Sequence, residues 1–365
     1  MKVTARSPGK MVLFGEYAVL ENATALVTAV NRYCTVTIEP SANDTCQVAA
    51  VNLDSPSLQF RLSDGVITPS QPPSGETEET YSLFVSVFES ILRTLREKEI
   101  SPTPIRIAID TTPFYHPTGG KLGIGASAAL TVALTAGLFG LYDIIRPGDR
   151  NLHREIFPAA LTAHFEAQGN SGSGIDVAAC TYGKTLQYQQ PEQGPSSAVI
   201  HPCSIPAGLF SLPVWSGASA STPEILEKVR DLKRRAPTQY RSIMQELIGI
   251  TGEANQAFSS DDIPRFLRHV DSFFDLLYKL GRLTEVQIIS PAHTGIATLV
   301  KQTGGHYKPS GAGHGDLGLA FTHSNVVAEK IRAKIDGSAF DLIDLSLDAP
   351  GVTLQIESEK EESAK

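Results

Sequence analysis

Cysteine is scarce in this chain: Cys34, Cys46, Cys180 and Cys203 are the only four in 365 residues. None is spaced as C-x-x-C, so the usual zinc and dithiol frameworks are excluded. Sparse, unpatterned cysteine fits a reducing cytoplasm. Long apolar runs are missing as well. No stretch reaches the roughly 18 residues that a membrane helix needs. The first ten residues, Met1 to Lys10, lack the apolar core of a signal peptide. A cytoplasmic protein without a membrane partner is therefore expected. Positive charge is not in excess either, with 31 Lys and Arg against 39 Asp and Glu and a net charge of −8. That balance speaks against nucleic acid as a partner. A small anionic ligand needs only a few local cations, so it stays open. There is no internal repeat.

What is present reads as a globular protein of α+β class. Hydrophobic residues make up 41% and charged residues 19%. The length exceeds what one core usually serves, so about two domains are expected. We place them at 1–190 and 208–357, with the polar, proline-containing stretch 190–207 as linker. Residues 11–20 and 24–38 read as strands, and 66–80 as a surface loop. Apolar spacing predicts helices over 81–97, 152–167 and 175–182, and strands over 105–109 and 184–189. A strand at 209–215 precedes helices from 223 to about 303. Strands near 305–308 and 317–321, a helix at 325–335, and closing strands at 340–345 and 352–356 complete the second domain.

The most telling segment is residues 121–130, Lys-Leu-Gly-Ile-Gly-Ala-Ser-Ala-Ala-Leu, leading into an apolar helical run. Glycines let a backbone approach a ligand closely. A helix start presents free N–H groups that suit phosphate. The Ser127 hydroxyl suits a phosphate or a Mg²⁺ ion. Neither the Walker spacing nor G-x-G-x-x-G is met here. A tightly packed helix start would use the same small residues.

Four further segments stand out. Lys10 enters an apolar strand after Pro8-Gly9; it is either a solvated edge residue or a charge aimed into a cleft. Residues 167–176 form a Gly/Ser turn, with Ser173 and Gly174, that ends on Asp176. An acid in a helix's first turn is ordinary dipole matching, but so many small residues exceed what a cap needs. Residues 214–222 carry the lone Trp215 and the hydroxyls Ser216, Ser219, Ser221 and Thr222. Ser221-Thr222 before Pro223 reads as a helix cap. Residues 308–318 hold Lys308, Ser310, Gly311, Ala312 and Gly313 in a glycine-rich path, either a hairpin turn or a loop against a ligand.

In this order the five segments resemble the GHMP kinase superfamily over nearly the whole chain. Pro8-Gly9-Lys10 through Gly15-Glu16-Tyr17 looks like its first motif, Gly123 to Ala129 its second, and Gly311 to Gly318 its third. Within it, the frame from His164 to Gly183 and the segment Val214 to Thr222 are most similar to the phosphomevalonate kinases. Three positions depart: Ala126 replaces a serine, Asn22 stands where a glycine is common, and His314 replaces a glycine.

The resemblance implies a ribosomal protein S5 domain 2-like first domain, a ferredoxin-like second domain, and an active site in the cleft between them. It implies ATP and Mg²⁺ as cofactors and a small phosphorylated acceptor, in a monomer or homodimer. Backbone at Lys121, Gly123, Gly125, Ala126, Ser127 and Ala128, with Gly311 and Gly313, would surround the nucleotide. Ser127, with Glu166 as a second contact, would hold the metal. Lys10 and Asp176 would be catalytic. Ser173, Gly174, Ser216, Ser219, Ser221, Thr222, Lys308, Ser310 and Ala312 would meet the acceptor. The implied reaction is transfer of the ATP γ-phosphoryl to 5-phosphomevalonate. A mevalonate kinase, or a non-catalytic regulator of the same fold, remains the alternative.

Overall fold

Two long strands organise the first half of the chain. The computed structural model describes residues 1–51, 56–63, 66–70, 76–190, 197–219 and 222–357. Strand β1 (Lys2–Phe14) pairs antiparallel with β2 (Ala25–Pro40), from Val3 opposite Ile38 to Phe14 opposite Leu26. The register shifts between Pro8 and Gly9, next to Lys10. Such a bulge re-aims the side chains that follow it. Lys10 stays in register opposite Ala29, while its N–H donates to the Ile124 carbonyl at 2.8 Å, tying the strand to the glycine loop.

The sheet continues through β3 (Cys46–Ala50), β4 (Leu58–Ser63), β5 (Val66–Pro69) and β6 (Ile105–Asp110), in the order β1-β2-β6-β3-β4-β5. Helices α1 (Glu76–Glu97), α2 (Ala126–Leu141), α3 (Leu152–Ala167) and α4 (Ile175–Tyr182) accompany it. Helix α2 is apolar all round, and Ala128 to Gly140 are buried except Leu130. Such a helix belongs inside. It packs against β1 and β2 and against α1, α3 and α4. Strand β7 (Thr185–Gln189) pairs with the first residues of β2, and β8 (Val199–Cys203) pairs with β7.

The second unit is a four-stranded antiparallel sheet. It comprises β9 (Phe210–Trp215), β10 (His306–Pro309), β11 (Leu317–Thr322) and β12 (Asp341–Leu342), in the order β10-β11-β9-β12. Its helices are α5 (Thr222–Arg235), α6 (Pro237–Ser259), α7 (Ile263–Thr284), α8 (Pro291–Lys301) and α9 (Asn325–Asp336). Asp262, Ser290 and Ser324 cap α7, α8 and α9 by accepting from the N–H three residues on. Phe14, at the end of β1, sits 4.4 Å from Phe273 and 5.7 Å from Phe266 between ring centroids, joining the two cores.

Several expectations need correction. The strand expected at 11–20 ends at Phe14, and Ala18–Glu21 forms a 3-10 turn. The expected loop 66–80 contains β5 and the start of α1; 71–75 lie outside the described residues. The stretch read as a linker contains β8, while 191–196 lie outside the described residues. The strand expected at 340–345 shrinks to two residues. The last strand, β13 (Thr353–Glu357), does not complete the second unit: it pairs with β1, Lys2 opposite Glu357. Short-range periodicity finds such a strand but carries no information about which sheet edge it will cover.

Candidate active site

The glycine loop, α4 and the third motif converge on one cavity of about 770 Å³. Lys10, Lys121, Gly123, Gly125, Ala126, Ser127, Ser173, Gly174, Asp176, Gly311 and Ala312 all line it. Both α2 and α4 begin on a glycine in the left-handed region, Gly125 at φ 81° and Gly174 at φ 76°, with no side-chain cap. Helix starts of this kind favour bound anions.

Local chemistry builds each edge. Gly125 brings the loop against Lys10, so that a β-carbon there would lie 3.1 Å from the lysine Cε. Gly311 approaches from the third motif, where a β-carbon would be 3.9 Å from Lys10 Nζ. The Lys10 ammonium therefore stands between the two glycine loops. Asp176 Oδ1 accepts from the Val177 N–H at 2.9 Å. Tyr188 donates its hydroxyl proton to the Ser173 carbonyl, fixing the turn ahead of α4. Tyr17 donates to the Ala312 carbonyl. Burial first, and the neighbouring Glu16 second, push the Tyr17 phenol far above its ordinary pKa, so it stays a donor.

Gly123 is the tightest point. It lies at φ 75°, and a β-carbon would fall 2.2 Å from Asp316 Cγ. We expect Gly123→Ala to distort the loop and weaken nucleotide binding by about 5–150-fold, since strain of this kind costs about 1–3 kcal/mol. Calorimetric titration with Mg·ATP checks this.

Some expected residues sit elsewhere. Lys308, expected at the acceptor, is completely buried. Its Nζ pairs with Glu16 Oε1 and donates to the carbonyls of Pro309 at 2.7 Å and Val12 at 3.3 Å. Burial pushes the Glu16 carboxyl up and the Lys308 ammonium down, and the charge of each opposes the other's shift. Glu16 also accepts from the Gly311 N–H at 3.4 Å. Lys308 is thus a strut beneath the third motif. Glu166, expected at the metal, pairs with Arg93 at the partly exposed surface of α3 and does not line the cavity. Ser310 is spent on the fold, accepting from the Val12 N–H at 3.0 Å. Ser219 Oγ accepts from the Lys121 N–H at 2.9 Å and Ser216 Oγ donates to the Ala218 carbonyl at 3.2 Å, so both secure loops. Ala128 is buried in α2, and Gly313 packs against the Ile288 carbonyl. Ser221 and the side chain of Thr222 lie outside the described residues.

Sequence reasoning missed two features. His164, given no role above, lines the cavity beside Ser127. His293 is buried under the third motif, 2.7 Å from the Tyr307 hydroxyl through Nδ1 and 2.9 Å from the Gly315 carbonyl through Nε2. Of the two neutral tautomers, the one with its proton on Nε2 satisfies both partners, and burial holds the pKa down to about 4. The two departures at glycine positions are also resolved. Asn22 and His314 adopt φ 64° and 69°, a region where Asn and His are enriched among non-glycine residues.

A pH dependence of stability follows. Above the ordinary value of 6.5 the ring is neutral in both states, and no proton is taken up. Below it the unfolded chain binds a proton that the folded ring refuses until about pH 4. Stability attributable to His293 therefore falls as pH drops through this window, by about 3 kcal/mol in total. Denaturant titrations at pH 7 and pH 4 should show that difference shrinking in His293→Gln.

Residues 83–184 match the family model described as GHMP kinases N terminal domain. The phosphomevalonate kinase of Streptomyces sp. (strain CL190) is 26% identical over 342 residues, spanning 87% of this chain and 89% of that protein. The mevalonate kinase of Arabidopsis thaliana is 24% identical over 382 residues, spanning 93% and 96%. Streptococcus pneumoniae phosphomevalonate kinase, solved with phosphomevalonate and AMPPNP, superposes with a TM-score of 0.75 at 18% identity, over 94% of this chain and 99% of that one. Residues 83–184 are thus similar to the GHMP kinases N terminal domain, and the fold is the α+β fold of the solved GHMP kinases. Among the described residues no helix is long and apolar enough to cross a membrane.

Proposed function

We propose that this GHMP kinase, which is of the mevalonate-kinase and phosphomevalonate-kinase type, transfers the γ-phosphoryl of ATP to 5-phosphomevalonate. The observation that carries the reading is the likeness to the Streptomyces enzyme over nearly the full length of both chains. The cavity supplies what such a transfer requires: two uncapped helix starts, a lysine between two glycine loops, and a carboxylate opposite.

Phosphoryl transfer depends on positioning and charge neutralisation. An oxygen of the acceptor phosphate forms a bond to the γ-phosphorus as the bond to the β,γ-bridging oxygen breaks, and ADP leaves. Backbone N–H groups at the start of α2 receive the nucleotide phosphates. Lys10 neutralises charge on the transferring group. The acceptor phosphate has a second pKa of about 6 and is mostly a dianion at pH 7. It needs no base, so Asp176 orients Lys10.

The donor set also suits Mg²⁺. That ion takes few protein ligands, keeps waters and leans on substrate phosphates. Ser127 offers a hydroxyl at the cavity wall, and no cluster of three acidic, His or Cys side chains competes for metal among the described residues. Mg²⁺ bound with ATP would supply Lewis-acid neutralisation of the phosphate charge. A cytoplasmic location and a soluble, small-molecule kinase role complete the proposal.

ADP release measured with 5-phosphomevalonate and mevalonate side by side tests it. Turnover with the phosphate alone supports the reading. Turnover with mevalonate alone replaces it with the alcohol kinase, which the Arabidopsis likeness also favours.

A further inference from the structure

We infer that His164 is a positioning residue that orients the Ser127 hydroxyl for the nucleotide-bound metal. The inference rests on the proposed role of Ser127. His164 lies in the last turn of α3 and is only 7% exposed, yet its ring faces the cavity. Its Nε2 is 3.3 Å from Ser127 Oγ and 4.0 Å from Asp176 Oδ2. One ring nitrogen thus stands between the nucleotide side of the cavity and the carboxylate on α4.

The need for such a group follows from the serine itself. A hydroxyl rotor can present a proton or a lone pair, and those choices suit opposite partners. A phosphate oxygen needs the proton, whereas a cation needs the lone pair. Ser127 stands at the second position of α2, whose N-cap Gly125 offers no side-chain cap. Its Oγ has His164 as its side-chain partner. Where Nε2 is the unprotonated ring nitrogen it accepts the Ser127 proton, which holds the hydroxyl rotor and leaves the Oγ lone pairs free for a cation. Groups that orient metal ligands in this way typically change metal affinity by about 10–100-fold when removed. Position 164, two residues before the expected Glu166, is where α3 faces the cavity; Glu166 points to Arg93.

The test is calorimetric binding of ATP, with Mg²⁺ and with EDTA, to the full chain without acceptor. His164→Leu should weaken Mg·ATP binding by about 10–100-fold while changing metal-free ATP binding little. His164→Gln, whose amide reaches a similar point and can donate or accept, should recover most of the loss. Thermal melting of both variants establishes that they fold. The proposal is overturned if folded His164→Leu keeps the wild-type Mg²⁺ dependence, or if Gln does no better than Leu. Ser127→Ala with unchanged Mg²⁺ dependence would overturn both this proposal and the metal role of the serine. Because no acceptor is present, an error in the acceptor's identity leaves the result intact.

Discussion

Lys10→Ala is expected to lower kcat on 5-phosphomevalonate, the proposed acceptor, by about 10²–10³-fold, the usual cost of removing one preorganised charge-stabilising group. Asp176→Asn is expected to lower it by distinctly less. The asymmetry follows from the acceptor. Its phosphate is already ionised at neutral pH, so a carboxylate base has no proton to remove. Lys10 has no such substitute, because its ammonium is the cation held between Gly125 and Gly311. An alcohol acceptor reverses the logic. There a general base contributes about 10²–10⁴-fold, and both variants should be severely impaired. Single-turnover rates for both variants on each acceptor separate the cases. Equal, near-complete loss on the phosphate would rule out a purely orienting role for Asp176.

The second large effect is on stability. Lys308→Ala should cost about 3–5 kcal/mol, the range seen when one member of a buried ion pair is removed. Glu16 would then be left as a carboxylate 4% exposed, with backbone N–H groups of Glu16 and Gly311 as donors. Burial already raises its pKa, and losing the Lys308 charge would raise it further. The apolar double replacement Glu16→Leu with Lys308→Met should recover much of the loss, since well-packed apolar pairs often match buried ion pairs. Chemical denaturation measures both. Were Lys308 an acceptor-binding residue, Lys308→Ala would instead raise KM and leave stability near wild type.

The elements most legible in the sequence were those with local causes. Helices α3 and α4 fall on 152–167 and 175–182 because their apolar spacing and flanking glycines are local signals. The cavity positions of Lys10, Gly125, Ser127, Gly174 and Asp176 were legible for the same reason: each sits at a glycine turn feeding a helix or strand. Side-chain direction was not. Glu166 and His164 are two residues apart on one helix, and only tertiary packing decides that the imidazole faces Ser127 while the carboxylate meets Arg93. Lys308 is hidden by its partner Glu16, nearly 300 positions away in the chain, where no local pattern reaches. The sheet membership of β13 is lost to sequence reading by the same distance.

That final strand has a consequence for synthesis on the ribosome. One side of β1 pairs with β2 early, but its other side waits for Thr353–Glu357. At typical elongation speeds the wait is on the order of tens of seconds. During that time Lys2–Arg6 presents an open edge, the kind that recruits stray strands from other nascent chains. The four-stranded unit is made entirely within this interval, as an insertion between β8 and β13. Premature termination before Thr353 would leave the nucleotide-side sheet incomplete, although every residue named in the cavity had already been made.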